Sequence, residues 1–220
     1  MNFDANLKKL TKSSKEAILF FFYNFENRKV LKMDLPWGDE KSIKFITNVG
    51  LITSDGPNGP NVMAAEWTHH VSYKPGIIAI SLGPTKTTTE NIRKTGKFGV
   101  NIASTSQNVA ASVAGGSAGR DVDKISALKE LGVKFFAGKN GLPMIEGSAL
   151  NIECKVLQEI PMGDHVLFIG EILDAKKTDS EPLAYHGLKY WKMTEQISKP
   201  TETESARIAA VVEKHRKIKK

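Results

Sequence analysis

The sequence predicts a mainly β fold with inserted helices, a closed or half-closed antiparallel barrel. Three observations lead there. Apolar, β-branched stretches of strand length recur between turn-rich strings. Helical spacing occurs only in short segments that do not alternate regularly with the strands. No GxGxxG or GxxxxGK[ST] string follows a strand to suggest a Rossmann site or a P-loop. With 220 residues, 40% hydrophobic and 25% charged, the chain has the length and composition of one sizeable globular domain.

Residues 1–40 read as a helical extension. The apolar run Ala17 to Phe25 is interrupted by Asn24 and is too short to span a bilayer, so it reads as the buried face of a helix. Leu35 to Asp39 reads as a loop. Phe45 to Thr53 has strand character and stops at SDGPNGPN, and Val62 to Thr68 returns, which makes a hairpin. Lys74-Pro75-Gly76 then punctuates the chain before the strand Ile77 to Leu82.

Thr87 and Glu90 have the spacing of a capping box, and Gly96 is placed to end a two-turn helix. Phe98 to Ile102 is a further strand and Gln107 to Ala114 a helix. Gly115 to Gly119 is a flexible break, and Asp123 to Leu131 resumes helical spacing. Leu150 to Glu159 and His165 to Asp174 are long alternating strands separated by Ile160 to Asp164. The barrel body therefore occupies residues 41–198, and residues 199–220 form a basic, partly helical tail.

The formal charge of +7 is largely that tail: Arg207, Lys214, Arg216, Lys217, Lys219 and Lys220 stand against Glu213 alone from Ser205 onward. A solvated terminal run is the plainer reading, and an RNA or membrane contact the alternative. No RNP, KH or dsRBD pattern appears, so neither nucleic acid nor a membrane is expected as a partner. One cysteine, Cys154, excludes an intramolecular disulfide and a CxxC metal site; it reads as a core residue and agrees with a cytoplasmic location. His69 and His70 are consecutive on a strand and point to opposite sides, so no metal site is expected there.

Ser81 to Ile92 is the first segment that bears on chemistry. A strand ends in a Gly-Pro turn, and Lys86, Thr87 and Thr88 precede a helix whose free N–H groups attract an anion, with about 0.3–1 kcal/mol from the helix dipole. A capped surface helix with an incidental lysine is the equal alternative on this segment alone. Asn61 to Thr68 is the second, where Ala64 and Ala65 let backbone amides approach a planar ring beside Trp67.

Taken together, the strand ending in TS, the DG turn, NVMAAEWT, the VSYKPG turn, SLGP with a basic residue, TENI and TGKFGVN resemble the flavin reductase-like, FMN-binding split-barrel family. GRDVDK, IECKV, GDHVLFIGEI and LAYHGLKYW continue the resemblance, which covers about residues 43 to 192. It implies a six-stranded antiparallel split barrel of Greek-key type that forms a homodimer with FMN at the subunit interface. The resemblance places the phosphate on Lys86, Thr87 and Thr88 with Ser81 near that end, the ring edge on Asn61, Ala64, Ala65, Trp67 and Thr68, and the ribityl chain beside Asn101. FAD or a deazaflavin is the alternative in the same groove.

In such a protein the flavin supplies the redox chemistry and the side chains position it, so no catalytic triad is expected. His165 in the GDH turn resembles a family position near flavin and nicotinamide, where it can donate a hydrogen bond or meet a pyrophosphate; a plain turn histidine is the alternative. Lys124 follows the glycine-rich break and is expected on a lid that meets NAD(P)H phosphates; a solvated loop is the alternative. The resemblance implies an NAD(P)H-dependent flavin reductase that passes electrons to free flavin, ferric complexes or a partner monooxygenase. A flavoredoxin-like FMN carrier that serves redox proteins is the alternative, and an RNA-binding protein the remote one.

Overall fold

The computed structural model describes residues 33–217, so the helix expected over Ala17 to Phe25 lies outside the described residues. The chain divides into two units after Ser42. In the first, Pro36 to Asp39 form the expected loop, closed by the Asp39 N–H donating to the Pro36 carbonyl at 3.0 Å.

The second unit, Ile43–Lys220, carries the fold. Its elements in order are β1 (Thr47–Asn48), β2 (Gly50–Ser54), β3 (Asn61–Ala65), β4 (Thr68–Ser72), β5 (Ile77–Leu82), α1 (Thr87–Thr95), β6 (Lys97–Ile102), α2 (Asn108–Gly116) and α3 (Lys124–Glu130). They continue with β7 (Phe135–Ala137), β8 (Pro143–Ile145), β9 (Leu150–Met162), β10 (His165–Lys177), β11 (Ala184–His186), β12 (Lys189–Trp191) and α4 (Glu202–Lys214). The main sheet is a curled antiparallel half-barrel of seven strands in the order β3-β2-β6-β9-β10-β5-β4. Only Glu66 and Trp67 separate β3, at one end of that order, from β4, at the other. Counted as one bent strand, the pair reduces seven strands to the expected six and brings the two ends of the sheet together. Gly50 marks the close approach: a Cβ there would lie 2.3 Å from the Thr68 Oγ1.

Strand alternation divides the core in two. Ile52, Ile78, Ile80, Leu82, Phe98, Val100, Ile152 and Phe168 pack together in one cluster, with Cys154 fully buried among them. Leu51 and Val62 turn the other way, against Ala110, Ala111 and Ala114 of α2 and Ile125 and Leu128 of α3. β2 is consequently buried at every position, unlike a strand with one wet face.

The β9–β10 hairpin is longer than its sequence suggests. Pairing runs through Ile160, Pro161 and Met162, leaving a two-residue turn at Gly163-Asp164, with Gly163 at φ 62. The short pairs β7–β8 and β11–β12 were not expected. The first is held where Glu153, buried in β9, accepts the Asn140 N–H at 2.7 Å and also its side-chain amide. In the second, the Trp191 indole donates to the His186 carbonyl at 2.8 Å. In the tail, α4 is capped by Thr201 and Glu204 and exposes every residue.

Candidate functional site

The end expected to hold the phosphate is built by α1. Its N-cap is Lys86, in extended conformation and without a side-chain cap, so Thr87 is the first helical residue rather than the cap of a box with Glu90. Glu90 instead accepts from the Asn58 side chain at 3.2 Å in the β2–β3 loop. The first intrahelical bond is Glu90 N–H to the Lys86 carbonyl, which leaves the amides of Thr87, Thr88 and Thr89 without helical acceptors. Thr89 Oγ1 donates to the Gly83 carbonyl at 2.8 Å and braces the SLGP turn. Asn91, buried in α1, donates to the Gly59 carbonyl and accepts the Asn58 N–H, pinning the helix to the hairpin loop.

Two further groups converge on this end. Asn61, at the start of β3 and 4% exposed, donates through Nδ2 to Thr88 Oγ1 at 2.8 Å. Arg120 donates to the Thr85 carbonyl, which brings the glycine-rich segment over the turn. Gly119 allows that approach, since a Cβ there would stand 2.6 Å from Asn61 Oδ1.

Lys124 is a correction. It lies on no lid: it opens α3, is 3% exposed, and donates through Nζ to the carbonyls of Ala114 at 3.1 Å and Ser117 at 3.3 Å. Burial, with the nearby Lys86 ammonium adding to it, pushes its ammonium down to about 8. The carbonyls at the end of α2 are what draw it in, because they offer a buried cation the acceptors it needs.

The end expected to face the ring lies where β3 passes into β4. Ala65 is buried in the barrel core, whereas Ala64 is half-buried on the other face, near enough to α2 that a Cβ on Gly115 would touch its methyl at 3.3 Å. Trp67 is 46% exposed, and its ring centroid stands 4.6 Å from that of His165, tilted by 55°. The His165 Nδ1 is 2.8 Å from Asp164 Oδ1, and that contact holds the Asp164 carboxyl below its ordinary range. Glu66, beside Trp67, is pushed up by burial. Ser81 is half-buried in β5, its N–H donating to the Trp67 carbonyl at 3.0 Å. Thr68 is buried: its hydroxyl donates to the Ala65 carbonyl at 3.2 Å, and its own carbonyl accepts from Asn48 Nδ2 at 2.7 Å.

The fold thus gathers Asn61, Lys86, Thr87 and Thr88 at one end of β3, and Trp67, Thr68, Ser81 and His165 at the other, so Asn61, expected at the ring edge, stands beside Thr88, and Ser81, expected near the phosphate, stands beside Trp67. Asn101 joins neither group. It is fully buried, with Nδ2 donating to the Leu51 carbonyl and Thr53 Oγ1 and Oδ1 accepting from the Ile145 N–H and Asn151 Nδ2. Both donors and both acceptor sites are taken, so its side chain is a node of the core and not a ribityl contact.

A family model described as "Flavin reductase like domain" matches residues 42–194. The chain belongs to the flavin reductase-like family. It is 31% identical to a flavin reductase of Pseudomonas putida over 70% of this chain and 88% of that protein. It is 24% identical to the FMN reductase (NADH) RutF of Pseudomonas syringae over 72% of this chain and 83% of that protein. The solved structure of the flavin reductase PheA2 in its native state superposes with a TM-score of 0.63 and 32% identity, over 74% of this chain and all of that one. The flavin reductase-like segment thus spans α1, the bent strand and the GDH turn together. Among the described residues, no three His, Cys, Asp or Glu side chains stand together as metal ligands, and no helix is long and apolar enough to cross a membrane.

Proposed function

We propose that this flavin reductase-like protein is an oxidoreductase that binds FMN along β3 and reduces it with NADH. The observation that carries the reading is the pairing of the two ends of β3. Free helix amides with two ammoniums, Lys86 and Lys124, stand at one end, and an exposed indole backed by an imidazole at the other. The donor set fits the group: cations and free amides, with the first-turn Glu90 turned to Asn58, suit a phosphate, and small side chains beside Trp67 suit a planar ring. When bound, the flavin supplies the redox chemistry, taking two electrons from the nicotinamide and handing them to an acceptor.

The chain's own residues have five tasks. Thr87, Thr88 and Lys86 seat the phosphate, and the Gly119–Arg120 segment covers that end from water. Trp67 bounds the ring, and Ser81 fixes the backbone of Trp67 through its carbonyl. His165, oriented by Asp164, offers its Nε2 toward the nucleotide side. Free flavin, ferric complexes or a partner monooxygenase are the acceptors proposed. A homodimer is proposed as the working form, supported by the exposed apolar residues Leu157, Met162 and Leu173 of the β9–β10 hairpin, with the cytoplasm as its location.

The test is steady-state oxidation of NADH and of NADPH with FMN in excess. The reading expects turnover that depends on both flavin and protein; nucleotide oxidation no faster than in protein-free flavin would contradict it.

A further inference from the structure

Helix α4 lies beyond the residues that the flavin reductase-like model matches, which end at 194. An exposed stretch without regular secondary structure, residues 192–200, joins it to β12, a length of chain that reaches at most about 30 Å. The start of the helix is fixed locally. The Thr201 hydroxyl accepts the Glu204 N–H at 3.3 Å, and the Glu204 carboxylate accepts the Thr201 N–H at 2.8 Å. Even so capped, a helix of 13 residues is marginal in water when nothing packs on it, and α4 exposes every residue. A partner helix would stabilise it.

The exposed surface is sided. Ile208, Val211 and Val212 follow the i, i+3, i+4 spacing of one face and stand 51%, 52% and 61% exposed, while Ala206 and Ala210 fall on the opposite side. Charge divides along the axis rather than around it. Glu202 and Glu204 lie in the first turn; Lys214 closes the helix, Arg216 and Lys217 follow, and Glu213 is taken by Arg216 at 2.9 Å. This polarity complements itself when two copies of α4 lie antiparallel: the acidic first turn of each meets the basic end of the other, and Ile208 of each faces Val211 of the other. Parallel copies would bring like charges together. An anionic lipid surface is served by cations spread along the apolar stripe and by Trp, Phe or Leu within it. Between its two end turns α4 carries a single cation, Arg207, and it contains none of those three residues. Its acidic first turn also opposes a nucleic-acid backbone.

We infer that α4 is a clasp between two copies of this chain, pairing antiparallel with its counterpart through Ile208, Val211 and Val212. Three half-exposed apolar side chains fall well short of the roughly 800 Å² per partner that a stable interface buries, so the clasp strengthens an association made elsewhere on the chain. In that respect it rests on the homodimer of the reading above.

Full chains carrying Ile208→Cys or Val211→Cys are oxidised separately and as an equilibrated equal mixture, and the crosslinked dimer is read on a non-reducing gel; the native thiol, Cys154, is buried in the barrel core. The mixture is expected to crosslink about fivefold faster than either chain alone, because position 208 faces position 211 of the second copy. A mixture of Ala206→Cys and Ala210→Cys should not crosslink. In sedimentation, Ile208→Asp should raise the dimer dissociation constant about tenfold, and because α4 touches nothing in the barrel the variant should fold as the wild type does. Crosslinking no faster in the mixture than in the separate chains overturns the clasp, as does an Ile208→Asp dimer as tight as the wild type. Flotation of the wild type with phosphatidylglycerol vesicles, lost in Ile208→Asp, overturns it too, since the stripe would then face lipid. A dimeric wild type without the 208–211 crosslink sinks the clasp and leaves the homodimer standing; a wild type that sediments as a monomer at every concentration sinks both.

Discussion

The His165 imidazole stands 4.6 Å from the Trp67 indole while its Nδ1 contacts Asp164 at 2.8 Å, so one ring joins the GDH turn to the bent strand that closes the barrel. Asp164 engages Nδ1, which leaves Nε2 as the free nitrogen. His165→Ala is therefore expected to lower kcat/KM for NADH about tenfold, near 1.4 kcal/mol, with FMN affinity nearly unchanged. Stopped-flow reduction at varied NADH, beside an FMN titration, checks the split.

Asn101 is expected to behave as a core residue. Asn101→Ala leaves the Leu51 carbonyl, the Ile145 N–H and the Asn151 amide short of partners, at a cost of about 2–4 kcal/mol. Urea unfolding should show the loss. FMN affinity measured well below the unfolding transition should stay within about threefold of the wild type.

Lys124 makes stability depend on pH. Its folded pKa, about 8, lies below the unfolded value of 10.5, so the unfolded chain holds the proton more tightly. Resistance to unfolding therefore rises with pH between those values and is flat below about 8. Between pH 7 and pH 9.5 the wild type should gain about 1–2 kcal/mol relative to Lys124→Met, compared by urea midpoints at each pH.

Cys154 should be inert in the folded protein. The thiol is fully buried and pushed up to about 12, first by burial and then by the Glu153 charge. A thiol-specific reagent at pH 8 should label it only after denaturant is added. Cys154→Ser, which buries a hydroxyl in the barrel core, should cost about 1–3 kcal/mol.

What the sequence made legible was local. Ile77 to Leu82 is a strand with the expected bounds, Gly96 ends α1 in left-handed conformation, and Asp123 and Leu131 flank α3 as its spacing suggests. The misreadings turned on tertiary acceptors. Lys124 follows a glycine-rich, charged stretch that looks like wet loop, and only the end of α2, brought alongside, buries it. Asn101 alternates correctly for its strand, but its partners come from β2, β8 and β9, far along the chain. Thr87 has the spacing of a cap, yet capping depends on which residue is extended, and that residue is Lys86. The three-residue strands β7, β8, β11 and β12 are too short to carry a period of their own. Arg120 follows the glycine-rich break, and its contact with Thr85 carries no local signal at all.

The most direct test of the flavin reductase reading is anaerobic. The purified protein is mixed with FMN, separated from free flavin, and followed by its visible flavin absorbance as NADH is added. Binding followed by rapid, stoichiometric bleaching is the predicted result. A protein that retains no flavin, or a bound flavin that neither NADH nor NADPH bleaches, would contradict it.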